Sequence, residues 1–357
     1  MPQMTRVLYL LHDSRRSGVP AVAANFIKSA RTIDVEPYVL FAYDGIYAEE
    51  LRAEGVRVAT MGRRIPFVWR LNRFLMNFRL LKYRGLVTVV HIHSIKLAWS
   101  VLIAKAMGFK VVYHLHELPR NVGWLLRKAI AVADRAVFCS ESCATHFAAV
   151  PACSRQTVVN AMRFADHPPV RHEQDNHRVV MIGSINRNKG QDLLLKAFSL
   201  LRDDSAELWF YGTTGLSAHK YVHDLKRYVE EQGLAGRVHF PGATADVFAA
   251  LGQAAVVVHT SWTESFGMAL VEAQSCGVPV IAHDLEGMRE VVSDGVSGYL
   301  VEPGNLQQLA SRLEQLLADP GLRARMGKAG YDLMRQRFGM EARLREYGEL
   351  YREVCQP

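Results

Sequence analysis

Residues 256–272 read VVVHTSWTESFGMALVE, and this stretch decides the fold class. It begins with a short apolar run, continues through a polar turn and ends in a segment with helical spacing. A strand that leads through a turn into a helix is the repeating unit of a parallel sheet wrapped by helices. The stretch therefore predicts one strand–loop–helix unit of an α/β domain.

The same unit recurs in two series on either side of this stretch. We predict strands at 6–12, 37–43, 56–61, 87–94, 110–117, 135–140 and 157–160, and then at 179–183, 208–212, 238–242, 256–260, 279–283 and 298–302. The proline pair and the polar residues of 167–178 predict an exposed linker between the series. Because near-continuous apolar strands are covered on both faces, we predict an α/β fold with two doubly wound, Rossmann-like domains, 1–168 and 169–339.

Length and composition agree with two soluble domains. The chain has 357 residues, 49% of them hydrophobic, and a formal net charge of +8, which favours an anionic partner such as phosphate, lipid or nucleic acid. The five cysteines are scattered, so we expect neither a disulfide framework nor a zinc site built on them, but reduced cytoplasmic thiols. The N-terminal apolar run is too short for a signal peptide, and no run reaches membrane-spanning length.

Two carboxylates frame the start of the helix in the opening stretch. Glu264 precedes the predicted start near Phe266 or Gly267, and Glu272 follows about two helical turns later. The backbone N–H groups between them suit a diphosphate, and the carboxylates suit the hydroxyls of a sugar or ribose. The alternative is that Glu264 only compensates the helix dipole and Glu272 is solvated.

A second polar loop, GSINRNKG at 183–190, follows the first strand of the second series. Its glycines allow close approach to a phosphate, and Lys189 supplies a cation at the entrance to the next helix, with Arg187 as a second candidate. The loop matches neither a dinucleotide fingerprint nor a P-loop. The alternative is an ordinary surface loop with two solvated cations.

Histidines are paired at two strand ends of the first series: His91 with His93, and His114 with His116. Alternation places both members of a pair on one face of the strand. Metal binding is conceivable, but neither pair has a third ligand at a recognisable spacing, which favours a structural role. His116, beside Glu117 at the strand end, is the candidate for a function.

The segment 62–85 is the most basic part of the chain, with seven Arg or Lys, five aromatic residues and no acid. A helical wheel predicts one apolar stripe, formed by Phe67, Leu71, Phe74, Leu75, Phe78 and Leu81. Such a helix either lies on an anionic membrane surface or covers the sheet, with its arginines solvated or bound to an anionic acceptor. No recognised nucleic-acid module accompanies the charge, so we expect no nucleic-acid partner.

Taken in order, these motifs resemble glycosyltransferase family 4 of the GT-B fold over nearly the whole chain. The second half carries the resemblance with the motifs at 183–198, 208–212, 238–242 and 259–305, whereas HIHS, VVYHLHE, VFCSE and VVNAM in the first half are less specific. The helical stretch 340–354 resembles the one that crosses back onto the first domain in this family.

The resemblance implies a role for each candidate. Glu272 would hold the ribose hydroxyls, Glu264 a sugar hydroxyl, Lys189 the diphosphate, and His116 would lie near the reacting sugar. The backbone of Phe266, Gly267, Met268, Ala269 and Leu270 would contact the donor, and Gly183 and Gly18 would belong to the two glycine-containing loops. Two positions depart from the family: Ser184 replaces an expected arginine, for which Arg187 is a substitute, and Ser17 with Gly18 replaces a glycine pair.

The resemblance also implies the reaction. A retaining hexosyltransferase would move a sugar from a nucleoside-diphosphate donor in the second domain to a saccharide or lipid-linked saccharide acceptor in the first, in cell-envelope or exopolysaccharide synthesis. We expect no metal cofactor, because the chain lacks a DxD motif at a strand end. The expected location is the cytoplasm, with peripheral attachment to the inner face of the plasma membrane through 62–85. A nucleotide-sugar epimerase and a catalytically idle binding protein are the alternatives.

Overall fold

The computed structural model describes residues 4–15, 17–62, 69–164, 177–215, 218–244 and 246–356. The predicted linker at 167–178 therefore falls almost entirely outside the described residues, as do Phe67 and the side chain of Leu71. The chain divides into two compact units, residues 1–163 with 338–357, and residues 164–337.

A seven-stranded parallel sheet runs through the described part of the first unit. Its strands are β1 (Thr5–Leu11), β2 (Val35–Phe41), β3 (Arg57–Thr60), β4 (Val89–His93), β5 (Lys110–Leu115), β6 (Arg135–Phe138) and β7 (Arg155–Thr157). Its helices are α1 (Gly18–Ile27), α2 (Ile46–Ala53), α3 (Trp69–Arg79), α4 (Ala98–Ala106), α5 (Trp124–Val132), α6 (Glu141–His146) and, from the C-terminal end, α14 (Met340–Cys355). Short 3₁₀ helices cover Ala30–Ile33, Leu80–Tyr83 and Ile95–Leu97.

The described part of the second unit repeats this plan with a six-stranded parallel sheet. Its strands are β8 (Arg178–Ile182), β9 (Glu207–Tyr211), β10 (Val238–Gly242), β11 (Val256–His259), β12 (Val280–His283) and β13 (Gly298–Val301). Its helices are α7 (Gln191–Phe198), α8 (His219–Glu231), α9 (Val247–Gly252), α10 (Met268–Ser275), α11 (Glu286–Arg289), α12 (Leu306–Ala318) and α13 (Pro320–Phe338).

Both sheets reverse their strand order at the centre. The orders are β3-β2-β1-β4-β5-β6-β7 and β10-β9-β8-β11-β12-β13, so the reversal lies between β1 and β4 and between β8 and β11. This is the doubly wound arrangement, in which ligands bind outside the carboxyl ends of the strands at the reversal. The predicted fold class is confirmed.

Each unit has its own hydrophobic core on its sheet. In the first unit, α14 contributes buried residues to the core beneath β1, β2 and β4, among them Leu350 and Tyr351, each 1% exposed. In the second unit, the strand residues pack against α7, α8 and α12. Helix α14 is therefore part of the first unit's core.

Three described members of the apolar stripe predicted for 62–85 do not pack inward. Phe74, Phe78 and Leu81 are 51%, 59% and 55% exposed. The buried face of this segment contains Met76 and Leu80 instead, both 0% exposed, together with Asn77, whose amide donates to the Phe74 carbonyl at 2.9 Å. Because Met76 and Leu80 are four residues apart, they form a second apolar stripe, narrower than the predicted one but packed inward. The last strand prediction of the first series is also displaced, since β7 overlaps 157–160 only at Thr157.

Candidate functional site

The predicted donor residues of the second unit lie in two loops at the strand reversal. The Lys189 loop follows β8, the Glu264 loop follows β11, and the two strands pair directly, with Val179 opposite Val256. Because parallel strands end at the same edge of a sheet, the two loops are neighbours there. This is the position at which the fold class binds ligands.

Lys189 and Glu264 form an ion pair inside this edge. The Lys189 Nζ lies 2.6 Å from the Glu264 Oε2, and the two side chains are only 20% and 18% exposed. Burial works against ionisation of Glu264, but the Lys189 ammonium and the neighbouring His259 lower its pKa well below the usual range. The pair is therefore charged at neutral pH, and the structure brings together two residues that are 75 positions apart in sequence.

A third residue, His259, contacts this ion pair. Sequence analysis treated it only as part of a strand. Its Nε2 lies 3.1 Å from the Glu264 Oε2 and 2.9 Å from the Ser261 Oγ. Burial and the charge of Lys189 lower the pKa of His259, so its imidazole is neutral and donates a hydrogen bond to the carboxylate. The signal that sequence analysis missed was a histidine at the carboxyl end of a central strand, five residues before Glu264.

The Lys189 loop is attached to the Glu264 loop by short contacts. The Trp262 N–H donates to the Asn188 carbonyl at 2.8 Å, and the Thr263 hydroxyl donates to the Asn188 side chain at 2.7 Å. Gly190 has a φ of +71°, and a Cβ there would lie 2.3 Å from the Thr260 carbonyl oxygen. A side chain at residue 190 would thus push apart the two loops that hold the ion pair.

Helix α10 begins beside this pair at a glycine. Gly267, its N-cap residue, has a φ of +86° and packs against Met288. The Leu270 amide donates to the Gly267 carbonyl at 2.9 Å and is therefore already used within the helix. The amides of Met268 and Ala269 come before it in the first turn, so they are the helix N–H groups that can bind a ligand. Phe266 and Leu270 place their side chains in the core, with 1% and 0% exposure.

Glu272 is the second carboxylate of the predicted pair, and it lies on α10. Glu272 is half-buried, and burial raises the pKa of its carboxyl to about 7. Glu264 and Glu272 therefore differ in charge state near neutrality, because one has a cationic neighbour and the other is only desolvated.

Arg187 is not part of this cluster. Its side chain is 72% exposed, its guanidinium lies 3.7 Å from the Asp224 carboxylate, and it covers the ring of Tyr221 on α8. Gly183, by contrast, lies next to the Lys189 stem, which a Cβ at residue 183 would meet at 3.7 Å.

In the first unit, His116 follows β5 and is 6% exposed. Its Nε2 lies 3.1 Å from the Nδ1 of His93, which ends the neighbouring strand β4. The adjacent Glu117 carboxylate accepts the Ser94 hydroxyl at 2.5 Å and the Ile95 N–H at 3.2 Å. Ser94 has a φ of +88°, which is uncommon for a residue with a side chain, and this conformation aims its hydroxyl at Glu117.

Gly18 is the first residue of α1 in the loop that follows β1, and it is exposed. A Cβ there would have no atom within 4 Å, and the Ser17 side chain makes no capping hydrogen bond. Gly18 thus lies at an uncovered helix start at the strand reversal of its own unit.

Two family models match the chain. Glycosyltransferase Family 4 matches residues 16–160, and Glycosyl transferases group 1 matches residues 162–333. The two matches follow one another along the chain, one in the described core of each unit.

The curated relatives that match are also glycosyltransferases. A D-inositol 3-phosphate glycosyltransferase of Paenarthrobacter aurescens is 36% identical over 160 residues, which cover 43% of this chain and 38% of that protein. The putative glycosyltransferase EpsD of Bacillus subtilis is 31% identical over 183 residues, 48% of this chain and 47% of that protein. The matched region thus covers less than half the length of each of these curated relatives.

Solved structures match the whole fold at lower identity. The structure of Anabaena Alr3699/HepE in complex with UDP and glucose has a TM-score of 0.84 and 20% identity, and the match covers 98% of this chain and 100% of that chain. Sucrose-phosphate synthase from Thermosynechococcus elongatus has a TM-score of 0.84 and 18% identity, with 98% and 99% covered. These similarities establish the two-domain fold.

Proposed function

We propose that this chain, which belongs to the glycosyltransferases of the GT-B fold, transfers a hexose-type sugar from a nucleoside-diphosphate donor to a saccharide or lipid-linked saccharide acceptor. The proposal includes retention of the anomeric configuration and a place in cell-envelope or exopolysaccharide synthesis. The observation that carries it is the buried Lys189–Glu264 ion pair at the strand reversal, next to the amides of Met268 and Ala269.

The chemistry of this cluster suits a sugar attached to a diphosphate. Glu264 and Glu272 accept hydrogen bonds from hydroxyls of the sugar and the ribose, while Lys189 and the first amides of α10 face the phosphates. When the bond between sugar and phosphate breaks, negative charge develops on the diphosphate, and these positive groups stabilise it. In this mechanism the leaving group departs without a metal ion.

The relatives support a nucleotide-sugar donor without naming this chain's own. The Anabaena structures are complexes with UDP, with UDP and glucose, and with UDP-glucose. We therefore place UDP-sugars first among the donors to be tested, ahead of GDP- and ADP-sugars. In this proposal His116 lies near the reacting sugar, and Gly18 contacts the donor.

The test is a thermal-shift screen of UDP-, GDP- and ADP-sugars, followed by transfer from each donor that binds. NMR of the product gives the configuration at the anomeric carbon, and an inverted product contradicts retention. Incubation with donor alone separates a transferase from an epimerase, which would isomerise the sugar. Calorimetry that finds no affinity for any nucleoside diphosphate would support a catalytically idle binding protein.

We further propose that the first unit rests on an anionic membrane surface through α3 and the 3₁₀ helix that follows it. Phe74, Phe78 and Leu81 are more than half exposed, and Lys82 and Arg84 next to them are exposed cations. Exposed aromatic and aliphatic groups beside cations are the composition of an interfacial helix. Among the described helices, none has the length and apolarity needed to cross a bilayer.

A further inference from the structure

The two histidine pairs of the first unit meet in its core. Strands β4 and β5 are neighbours, and His93 is directly opposite His114 in their register. His91, His93 and His114 are 0%, 2% and 0% exposed, and one ring nitrogen of each lies within 4.8 Å of the others. The third ligand that the His91 and His93 pair lacks is thus supplied by His114 on the adjacent strand.

Each of these three rings has one nitrogen with a hydrogen-bond partner and one without. The Nδ1 atoms contact Tyr351 Oη at 2.6 Å for His91, His116 Nε2 at 3.1 Å for His93, and Tyr347 Oη at 3.2 Å for His114. The Nε2 atoms of all three are buried and have no hydrogen-bond partner among the residues that the structure describes. Three unsatisfied polar atoms in one core cluster are costly, so the cluster calls for a ligand.

The Tyr351 hydroxyl lies 2.6 Å from the His91 Nδ1 and 3.1 Å from the Tyr9 hydroxyl, to which it can donate. In the tautomer with its proton on Nδ1, His91 donates to Tyr351 and keeps a lone pair on Nε2. Burial lowers the pKa of His91 to about 3 and holds the pKa values of His93 and His114 far below the usual range.

We propose that His91, His93 and His114 form a transition-metal site of the zinc type through their Nε2 atoms. Three imidazoles with no oxygen ligand select Zn²⁺ and neighbouring divalent metals over Mg²⁺ and Ca²⁺. Histidine ligands usually donate their other ring N–H to an outer acceptor that orients the ring, and Tyr351, His116 and Tyr347 lie at that position here. At a Zn–N distance of about 2.1 Å, tetrahedral nitrogens are about 3.4 Å apart, so the rings close in slightly on binding.

A metal there joins β4 and β5 to α14, because Tyr347 and Tyr351 lie on that helix. His93 and Tyr347 also line a cavity of the first unit with Val22, Phe26, Asn160 and Met340. The His116 Nε2 lies 3.1 Å from the His93 Nδ1, so the site positions the histidine predicted to lie near the reacting sugar without including it among the ligands.

The test measures metal content, which does not depend on transfer activity. The untagged chain is refolded from denaturant with Zn²⁺ or Co²⁺, so that slow access to a buried site is not limiting, and then dialysed against metal-free buffer. We expect one equivalent of metal per chain and, with Co²⁺, the visible absorption of four- or five-coordinate nitrogen ligation. Wild-type protein without stoichiometric metal and without this absorption overturns the proposal.

Two variants and a matched control locate the metal. His114→Gln should lose the equivalent, and Tyr351→Phe, which removes the acceptor for His91, should weaken binding about 10- to 100-fold. The control is the double substitution His219→Gln and His223→Gln, which removes an exposed pair four residues apart on α8. If that control loses the metal and His114→Gln keeps it, the ion is bound at the surface pair and the core site is refuted. Far-UV circular dichroism checks that each variant is folded.

Discussion

Lys189 and Glu264 are the residues on which the proposed chemistry rests, since each is the other's buried counter-ion. Lys189→Ala removes the cation for the diphosphate and leaves Glu264 and His259 without their positive neighbour. We expect kcat/KM for transfer to fall by about 100-fold or more. The measurement is the rate of sugar transfer at subsaturating donor.

Lys196→Ala on α7 is the matched control for this substitution, because Lys196 is an exposed lysine seven residues further along the same unit. It should transfer sugar at the wild-type rate. Equal activity in Lys189→Ala and Lys196→Ala would remove Lys189 from the donor site.

Gly190 tests whether the contact between the two loops matters apart from the ion pair. Gly190→Ala places a Cβ 2.3 Å from the Thr260 carbonyl oxygen, whereas Gly233, with a similar φ of +66°, has open space around it. Both substitutions incur the cost of a left-handed conformation, about 1–2 kcal/mol, but only Gly190→Ala also separates the loops. We expect Gly190→Ala to lose more stability in urea unfolding and most of its transfer activity, and Gly233→Ala to keep its activity.

Glu272 should make stability depend on pH. Its pKa rises from 4.5 to about 7 on folding, so between these values the native state holds more protons than the unfolded chain. Stability contributed by this carboxyl is therefore lost as pH rises from about 5 to 8. Glu272→Gln should remove that loss. Between pH 5 and pH 8, the free energy of unfolding of the variant should therefore rise by about 1–3 kcal/mol relative to that of wild type, as measured by urea unfolding at both pH values.

Glu231→Gln, at a side chain that is 58% exposed, is the comparison for Glu272→Gln and should show no such gain. If donor binding needs the Glu272 carboxylate, calorimetry should also find tighter binding of UDP at pH 8 than at pH 6 in wild type. A Glu272→Gln variant with the wild-type pH profile of stability would contradict the burial argument.

For single residues, sequence analysis predicted which side chains belong to the candidate donor site better than it predicted which side chains contact one another. It placed Lys189, Glu264 and Glu272 at one strand edge because parallel strands end there, and the first two do touch. It missed His259 because it treated this residue only as the end of an apolar strand, although its place five residues before Glu264 was a signal. It also treated Arg187 as a phosphate ligand, but the choice between Asp224 and a donor depends on the position of α8, which local sequence does not encode.

Helix α3 gives the prediction at the scale of an element. Phe74→Ser together with Phe78→Ser should abolish flotation with vesicles that contain anionic lipid, because both rings are exposed beside basic residues. Phe248→Ser is the control, since Phe248 is as exposed as Phe74, at 51%, but lies in the second unit. Wild-type protein that fails to float with anionic vesicles contradicts the membrane proposal and leaves the arginines to the acceptor or to solvent.

The same helix shows what the sequence pattern left open. The wheel favoured the wider apolar stripe, yet the core took Met76, Leu80 and the polar Asn77. Asn77 is tolerated inside because its amide bonds to the Phe74 carbonyl of the same helix. Periodicity counts apolar residues, whereas burial depends on the neighbouring elements, here α4, and a chain with a partner surface leaves apolar residues exposed.

For the whole molecule, the return of α14 to the first unit gives the prediction. A chain that stops before Met340 lacks core residues such as Leu350 and Tyr351. We expect hydrogen exchange in this truncated chain to lose protection across 5–163 but to retain it across 177–337, because the second unit has its own core. Deletion of 356–357 alone is the control and should leave both units protected.

The architecture was predicted well because the alternation of strands and helices recurs along the chain and does not depend on any single contact. The sequence also indicated α14 as a separate helix, although its place in the first unit was inferred from resemblance. What no local pattern encodes is a pairing such as His93 with His114, which exists only because β4 and β5 are neighbours.

The discontinuity of the first unit has a consequence for how a ribosome makes this protein. Residues 1–163 leave the exit tunnel before residues 338–357, which complete the core of the same unit. The second unit is continuous in sequence, so it can fold earlier in synthesis. During that interval the incomplete first unit exposes the apolar surface that α14 later covers, and chaperones that hold nascent chains should bind there. Vectorial synthesis thus reverses the order in which the two units reach their final structure.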